Sequence, residues 1–357
     1  MAYVLEKQVA ISAVTRACAL TSAVFRKLVQ SETLVKGDKS PVTVADFSAQ
    51  ALVCTILQHA FPQDPIVGEE DAADLRVNAS MAQRITELAN DALNSPLTAN
   101  ERADWGIGPS HGTRSTSVLL DAIDRGTFAG GKTGRMWTLD PIDGTKGFLR
   151  GEQYAVCLAL IEDSEVKLGI MGCPNLPVVI GNDEGERGAL FVAVHGQGAE
   201  QRPLSDPSRS EAIRIPGATD NVSSLRTLES VEAAHSSHSL NARIARHLGI
   251  TSEPVRMDSQ AKYCSLARGD GDIYLRMPTG VGYREKIWDH ASGAILVSEA
   301  GGRVSDSRGQ PLNFGMGRTL GENFGVIASG TGVHSAILDA VQKAKEEEEE
   351  ELGKSQL

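Results

Sequence analysis

Apolar residues recur at helical spacing near the start of the chain. There Val4, Leu5, Val9, Val14, Ala17, Val24, Phe25, Leu28 and Val29 fall near one face and predict a long amphipathic helix. A charged turn, Lys36-Gly37-Asp38-Lys39-Ser40-Pro41, and a β-like run, Val42-Thr43-Val44, follow. Asp46 is placed to open a second helix that ends before Pro62, and on the sequence alone it reads as that helix's N-cap. Ile66-Val67 is strand-like and leads into Gly68-Glu69-Glu70. Residues 71–115 are polar and irregular apart from a helical patch at 81–93, so they read as a surface excursion. A helix over 118–125 precedes the glycine-rich stretch 126–134.

From residue 136 the period changes to two. Strands are predicted over 136–139, 154–161, 166–172 and 189–194, the middle two forming a hairpin around Asp163-Ser164. The stretch 200–222, rich in Pro, Ser and Arg, reads as a linker. Beyond it, helices near 240–248, 260–268 and 288–299 and from 333 alternate with strands over 254–257, 272–277 and 325–328. The expectation is an α/β protein, α+β in its first half and α/β in its second. Its domains would cover 1–215 and 216–340, with an acidic tail over 341–357.

Composition narrows the class. Hydrophobic residues make up 41% of the chain and aromatic ones 4%, so the cores must be built mainly from Ala, Val, Leu and Ile. A net charge of -11 disfavours a duplex nucleic-acid binder, which needs a basic face. Metal-binding carboxylates would leave such a surplus, and solubility accounts for it equally well. Six glutamates, Glu346 to Glu351, either extend the last helix or fray, a solvated run being the default. The five cysteines are scattered with no C-x-x-C pair, as expected in a reducing compartment. Glu6, Lys7, Arg16, Arg26 and Lys27 interrupt the first helix, which therefore reads neither as a leader nor as a membrane span. A soluble cytoplasmic protein is expected, the nucleus left open, with no nucleic-acid, membrane or protein partner.

The candidate chemistry lies in three places. After Trp137 and Leu139 comes Asp140-Pro141-Ile142-Asp143-Gly144-Thr145, followed by Phe148. In a bend forced by Pro141 and Gly144, the two carboxylates and the carbonyl of Ile142 can converge, which suits a hard cation such as Mg2+. Alone the two aspartates would be an acidic turn, but the flanking residues fit a longer pattern. Far downstream, Trp288-Asp289-His290-Ala291-Ser292-Gly293 places an aspartate, by itself an ordinary N-cap, before small residues that permit close backbone approach. The third place is Gly68-Glu69-Glu70, by itself an exposed acidic pair.

Together and in this order, the three resemble the inositol monophosphatase superfamily, which includes the fructose-bisphosphatase relatives. Further stretches resemble its 3'(2'),5'-bisphosphate nucleotidases: Pro41-Val42-Thr43 with Asp46, Lys146-Gly147-Phe148-Leu149-Arg150-Gly151-Glu152, His235-Ser236-Ser237-His238, Asp258-Ser259-Gln260-Ala261-Lys262-Tyr263-Cys264 and Glu285-Lys286-Ile287-Trp288-Asp289. The resemblance spans nearly the whole chain, excepting 71–115, 200–222 and the acidic tail. It implies a layered αβαβα sandwich with the site between two domains. It also implies two or three Mg2+ ions held by Glu69, Asp140, the Ile142 carbonyl, Asp143 and Asp289, and an Asp46–Thr145 pair that orients and deprotonates the attacking water. Thr145, His235, Ser259, Lys262, Arg276 and Asp289 would contact the nucleotide. The implied substrate is adenosine 3',5'-bisphosphate, converted to AMP, with 3'-phosphoadenylyl sulfate as a second and with sensitivity to Li+ and Na+. An inositol (poly)phosphate phosphatase and a non-catalytic metal or nucleotide sensor are the alternatives. Gly126, Gly131, Lys132 and Thr133 satisfy the phosphate-loop pattern by letter, but a helix-like run precedes them and a strand follows, so they read as an ordinary connection.

Overall fold

Side-chain alternation along the central strands sets the layers of the molecule. The computed structural model describes residues 2–30, 44–216, 222–234, 236–280 and 282–355. One sheet holds β1 (Ile66–Gly68), β2 (Arg135–Asp143), β3 (Ala155–Glu162), β4 (Glu165–Pro177), β5 (Arg187–Val194), β6 (Gly198–Pro203) and β7 (Glu211–Ile213), in that order. Val156, Leu158 and Leu160 of β3 point into a core shared with α1 (Val4–Gln30) and α2 (Val44–Ala60). Around these pack α3 (Ala73–Val77), α4 (Ala79–Leu93) and α5 (Thr116–Asp124), while α6 (Thr145–Arg150) follows β2.

Ala155 and Cys157 of β3 face the opposite way, into a core with Tyr263 and Cys264 of α8 (Ala261–Arg268) and Leu296 of α9 (Ala291–Glu299). That same core takes in Leu228 of β8 (Thr227–Glu229), Tyr274 of β10 (Ile273–Arg276) and Ala328 of β12 (Val326–Gly330), members of a second sheet. With β9 (Val255–Arg256) and β11 (Gly302–Ser305), its order is β11-β12-β10-β8-β9. Ile273, Leu275 and Ile327 point away to the outer helices α7 (His238–His247) and α10 (Thr331–Ser355). Helices, sheet, helices, sheet and helices follow one another, which is the αβαβα sandwich expected. A Cβ at Gly293 would lie 2.2 Å from the Tyr263 ring, so glycine there lets the α8 tyrosine pack directly on the backbone of α9.

The hairpin turn at Asp163 and Ser164 has both residues at positive φ (49° and 70°), the signature of a two-residue type I′ turn. Several expectations are corrected. The segment 71–115 is not a surface excursion: Ile85, Ala89, Leu93, Trp105 and Ile107 join the first core. The patch was hard to read because half its apolar stripe is alanine. The stretch 200–222 is not a linker in its described part, since β6 and β7 complete the first sheet; the buried Gln201 and Pro203 disguise the alternation. Asp46 is not an N-cap, because α2 already starts at Val44 and places it, buried, in the first turn. Asp289 sits in a turn ahead of α9 rather than opening it. Residues 36–41 and 42–43, read as a turn and a β-like run, lie outside the described residues. The acidic run continues α10, with Val341 and Ala344 buried and Glu351 paired to Arg243. α1 is long and apolar enough to match a membrane span over Val4–Arg26, but Val9, Ala10, Ala13, Val14 and Ala17 are fully buried in the protein.

Candidate active site

β1 and β2 run parallel with Gly68 beside Leu139, so Glu69 and Asp140 emerge side by side at their C-terminal ends. The Glu69 amide donates to the Leu139 carbonyl at 3.2 Å. The carboxyl ends of parallel strands are where α/β sheets hold ligands. Beyond Asp140 the strand bulges: Asp140 pairs with Cys157 but Asp143 with Ala155, so three steps on β2 answer two on β3. Residues an odd number apart normally face opposite sides of a sheet. The bulge, with Pro141 supplying no N–H to the ladder, brings Asp140 and Asp143 to one side. Gly144 then takes a left-handed turn (φ 84°), and Thr145 begins α6. A Cβ at Gly144 would stand 2.9 Å from that of Ser259, so glycine also lets these two loops touch.

Gln260 ties the motifs together. Its amide donates to Asp143 Oδ2 at 2.6 Å, its Nε2 to the Trp288 carbonyl at 2.9 Å, and its Oε1 accepts from Ser292 Oγ at 2.8 Å. On the turn carrying Asp289, Arg276 holds Glu285 through Nε at 2.9 Å and NH2 at 2.7 Å and lies 3.5 Å from Asp289 Oδ2. His290 Nε2 approaches Glu285 at 3.1 Å while its Nδ1 meets the Tyr263 hydroxyl at 2.8 Å. Ligand atoms of Glu285, Asp289 and His290 lie within 4.8 Å of one another, but Arg276 already offsets their charge. This cluster supports Asp289 rather than forming a separate cation site.

Burial pushes Asp140 well above the usual carboxylate range, and the charges of Glu69, Asp143, Asp289 and Asp46 push it further. Asp289 is also raised by burial, with Arg276 opposing and Asp143 and Glu69 adding. Glu69 is raised to about 7, first by burial among protein groups, although its side chain still reaches solvent as a cleft wall does. Oδ1 of Asp140 is buried with no hydrogen-bond partner. Mutually repelling carboxylates, one with an orphaned interior oxygen, make a donor set that a hard divalent cation satisfies. The residues present fit Mg2+.

Thr145 Oγ1 donates to the Ile142 carbonyl at 3.3 Å. Ser259 has φ 66°, and its hydroxyl accepts from the Ala261 amide at 3.1 Å. Lys262 is buried, its Nζ donating to the carbonyls of Met257 (2.9 Å) and Ser259 (2.7 Å), and burial lowers it to about 8. His235 lies outside the described residues. Sequence reasoning missed the work of Gln260, Glu285 and Gln50. Gln50 brackets the Glu70 backbone, donating to its carbonyl at 2.6 Å and accepting from its amide at 3.1 Å. A glutamine among the apolar residues of α2 was the one available signal. A cavity of about 660 Å3 between the start of α1 and β6 includes none of the candidate site residues.

The inositol monophosphatase family model matches residues 4–346, and the chain belongs to that family. Among its relatives, the 3'(2'),5'-bisphosphate nucleotidase of Schizosaccharomyces pombe is 48% identical over 346 residues, covering 95% of this chain and 96% of the relative. That of Emericella nidulans is 46% identical, covering 96% and 99%. A solved inositol monophosphatase from Zymomonas mobilis, 18% identical, superposes over 96% of this chain and 99% of its own with a TM-score of 0.60, a likeness of fold. The resemblance read from the motifs is borne out. Members of the family generally use Mg2+.

Proposed function

We propose that the protein is a Mg2+-dependent phosphomonoesterase that removes the 3' (or 2') phosphate of adenosine 3',5'-bisphosphate and leaves AMP. The observation that carries this reading is the group of mutually repelling carboxylates around the orphaned Oδ1 of Asp140. The near full-length likeness to nucleotidases supports the choice of substrate. Glu69, Asp140, Asp143, Asp289 and the Ile142 carbonyl would hold two or three ions. Mg2+ bound there supplies activation of water and charge to offset the attacking and leaving oxygens. Asp46 and Thr145 orient the attacking water and take its proton.

Ser259 and Lys262 hold the phosphate that stays, with His235, Thr145 and Asp289 completing the nucleotide contacts. Arg276 reaches the nucleotide from a position where it also orients Asp289. The same contacts admit 3'-phosphoadenylyl sulfate, which gives the enzyme a place in sulfur assimilation. Li+ and Na+ inhibit, because a monovalent ion brings half the charge. The domains meet near residue 215, between the two sheets. All five cysteines are free and buried, which supports a reducing compartment such as the cytoplasm.

The test is phosphate release from adenosine 3',5'-bisphosphate, inositol 1-phosphate and inositol 1,4-bisphosphate with Mg2+, with and without Li+. Preferential, lithium-sensitive release from the nucleotide is expected. Preference for an inositol phosphate would overturn the substrate, and no release from any of them would overturn the enzyme.

A further inference from the structure

Arg318 belongs to none of the motifs and lies in the connection between β11 and β12. Its side chain nevertheless crosses from the second sheet to the first. NH1 donates to the carbonyls of Gly126 (2.9 Å) and Phe128 (3.1 Å), and NH2 donates to that of Gly68, the residue before Glu69. The Gly126 carbonyl also accepts from the Gly68 amide at 2.8 Å, so the guanidinium closes a small network around the end of β1. The guanidinium carbon lies 4.8 Å from the centre of the Trp288 ring, the residue before Asp289.

The backbone around Arg318 is equally committed. Its carbonyl accepts from the Ile287 amide at 3.2 Å, the Leu320 amide donates to the Glu285 carbonyl at 2.8 Å, and Lys286 and Thr319 form an antiparallel bridge. The connection is thus bound along the segment leading to Asp289, while the side chain grips the strand leading to Glu69. Its other flank rests on the glycine-rich stretch, where a Cβ at Gly130 would lie 2.7 Å from the Gly317 carbonyl. A planar fork with fixed donors suits this task better than a flexible ammonium.

We propose that Arg318 is a positioning residue that sets the separation of Glu69 from Asp289, and through it the affinity for Mg2+. This rests on the metal-dependent reading above. Two effects of Arg318 oppose each other: its positive charge near Glu69 works against a bound cation, while its fork holds the donors in place. Arg318→Lys keeps the charge and removes the fork and the stacking, so it isolates geometry. Gly130→Ala changes no charge but pushes the connection at Gly317 away, at the cost of a side chain at a φ of 75°.

The experiment is calorimetric titration of each protein with Mg2+ in the absence of substrate, beside thermal unfolding in EDTA. Wild type is expected to bind. Both variants are expected to bind about 10- to 100-fold more weakly, the usual effect of disturbing groups that orient metal ligands. Metal-free unfolding temperatures should fall by only a few degrees, with cooperative unfolding kept, which is too little for a loss of fold to account for the weaker binding. Wild-type affinity in the folded variants would overturn the proposal, and Gly130→Ala decides alone where Arg318→Lys does not fold. A wild type that binds no Mg2+ would instead sink the metal-dependent function itself.

Discussion

With its ammonium on two backbone carbonyls and burial holding it at about 8, Lys262 is a cation that can lose its charge near physiological pH. In the free protein its proton leaves as pH rises through about 8, so kcat/KM for the bisphosphate is expected to decline there. A pH profile of kcat/KM that stays flat across that value would remove Lys262 from substrate binding. The burial penalty on its charge is full below about 8 and fades as pH rises toward the ordinary 10.5, so this residue makes stability rise over that window. Glu69 has the other sign. Its proton is held more tightly folded than unfolded, so in metal-free protein stability falls as pH rises from 4.5 through about 7. The rise in Tm on adding Mg2+ should therefore be larger above that window than below it, and equal shifts would separate Glu69 from metal binding. The acidic members of this neighbourhood were legible as candidates only through the longer patterns around them and their resemblance to a family, since alone they read as an acidic turn, an N-cap and an exposed pair. Gln260, Gln50 and Arg318 were not, because they act on backbone atoms that every segment possesses.

The helices and strands divide along a similar line. α1, α5 and the β3–β4 hairpin follow directly from periodicity and turn chemistry. α4 was half legible: its helical patch is there, but its buried stripe of Ala82, Ile85, Ala89 and Leu93 is too small-sided to look like core. Asn78 caps it by accepting from the Met81 amide at 3.1 Å, a signal that lies outside the apolar pattern. Since Ile85 is fully buried, Ile85→Ala should cost about 2–5 kcal/mol by urea denaturation, whereas a surface helix would lose almost nothing. β8 and β11 escaped because three or four residues carry too little alternation to register.

At the scale of the molecule, the central helix layer belongs to both sheets. Tyr263 and Leu296 share one core with Phe191 of the first sheet and Ala328 of the second. Each sheet has its outer helices to itself but only half of a central layer, so neither has a complete interior of its own. A single calorimetric unfolding transition is expected, and two resolved transitions would show the halves to be independent. This sharing was not legible, because periodicity reveals that a face is buried and not which face it meets.

The bulge in β2 has a consequence for how the chain can vary. Side chains on the apolar face of that strand, such as Leu139 opposite Leu158, can be exchanged for others of similar volume at modest cost. Removing one residue between Asp140 and Asp143 would restore an unbroken ladder with both carboxylates still on one side, but it would abolish the bulge and with it the bend that carries the Ile142 carbonyl. The strand therefore tolerates rewriting but not editing for length: at this point the residue count is itself a functional property.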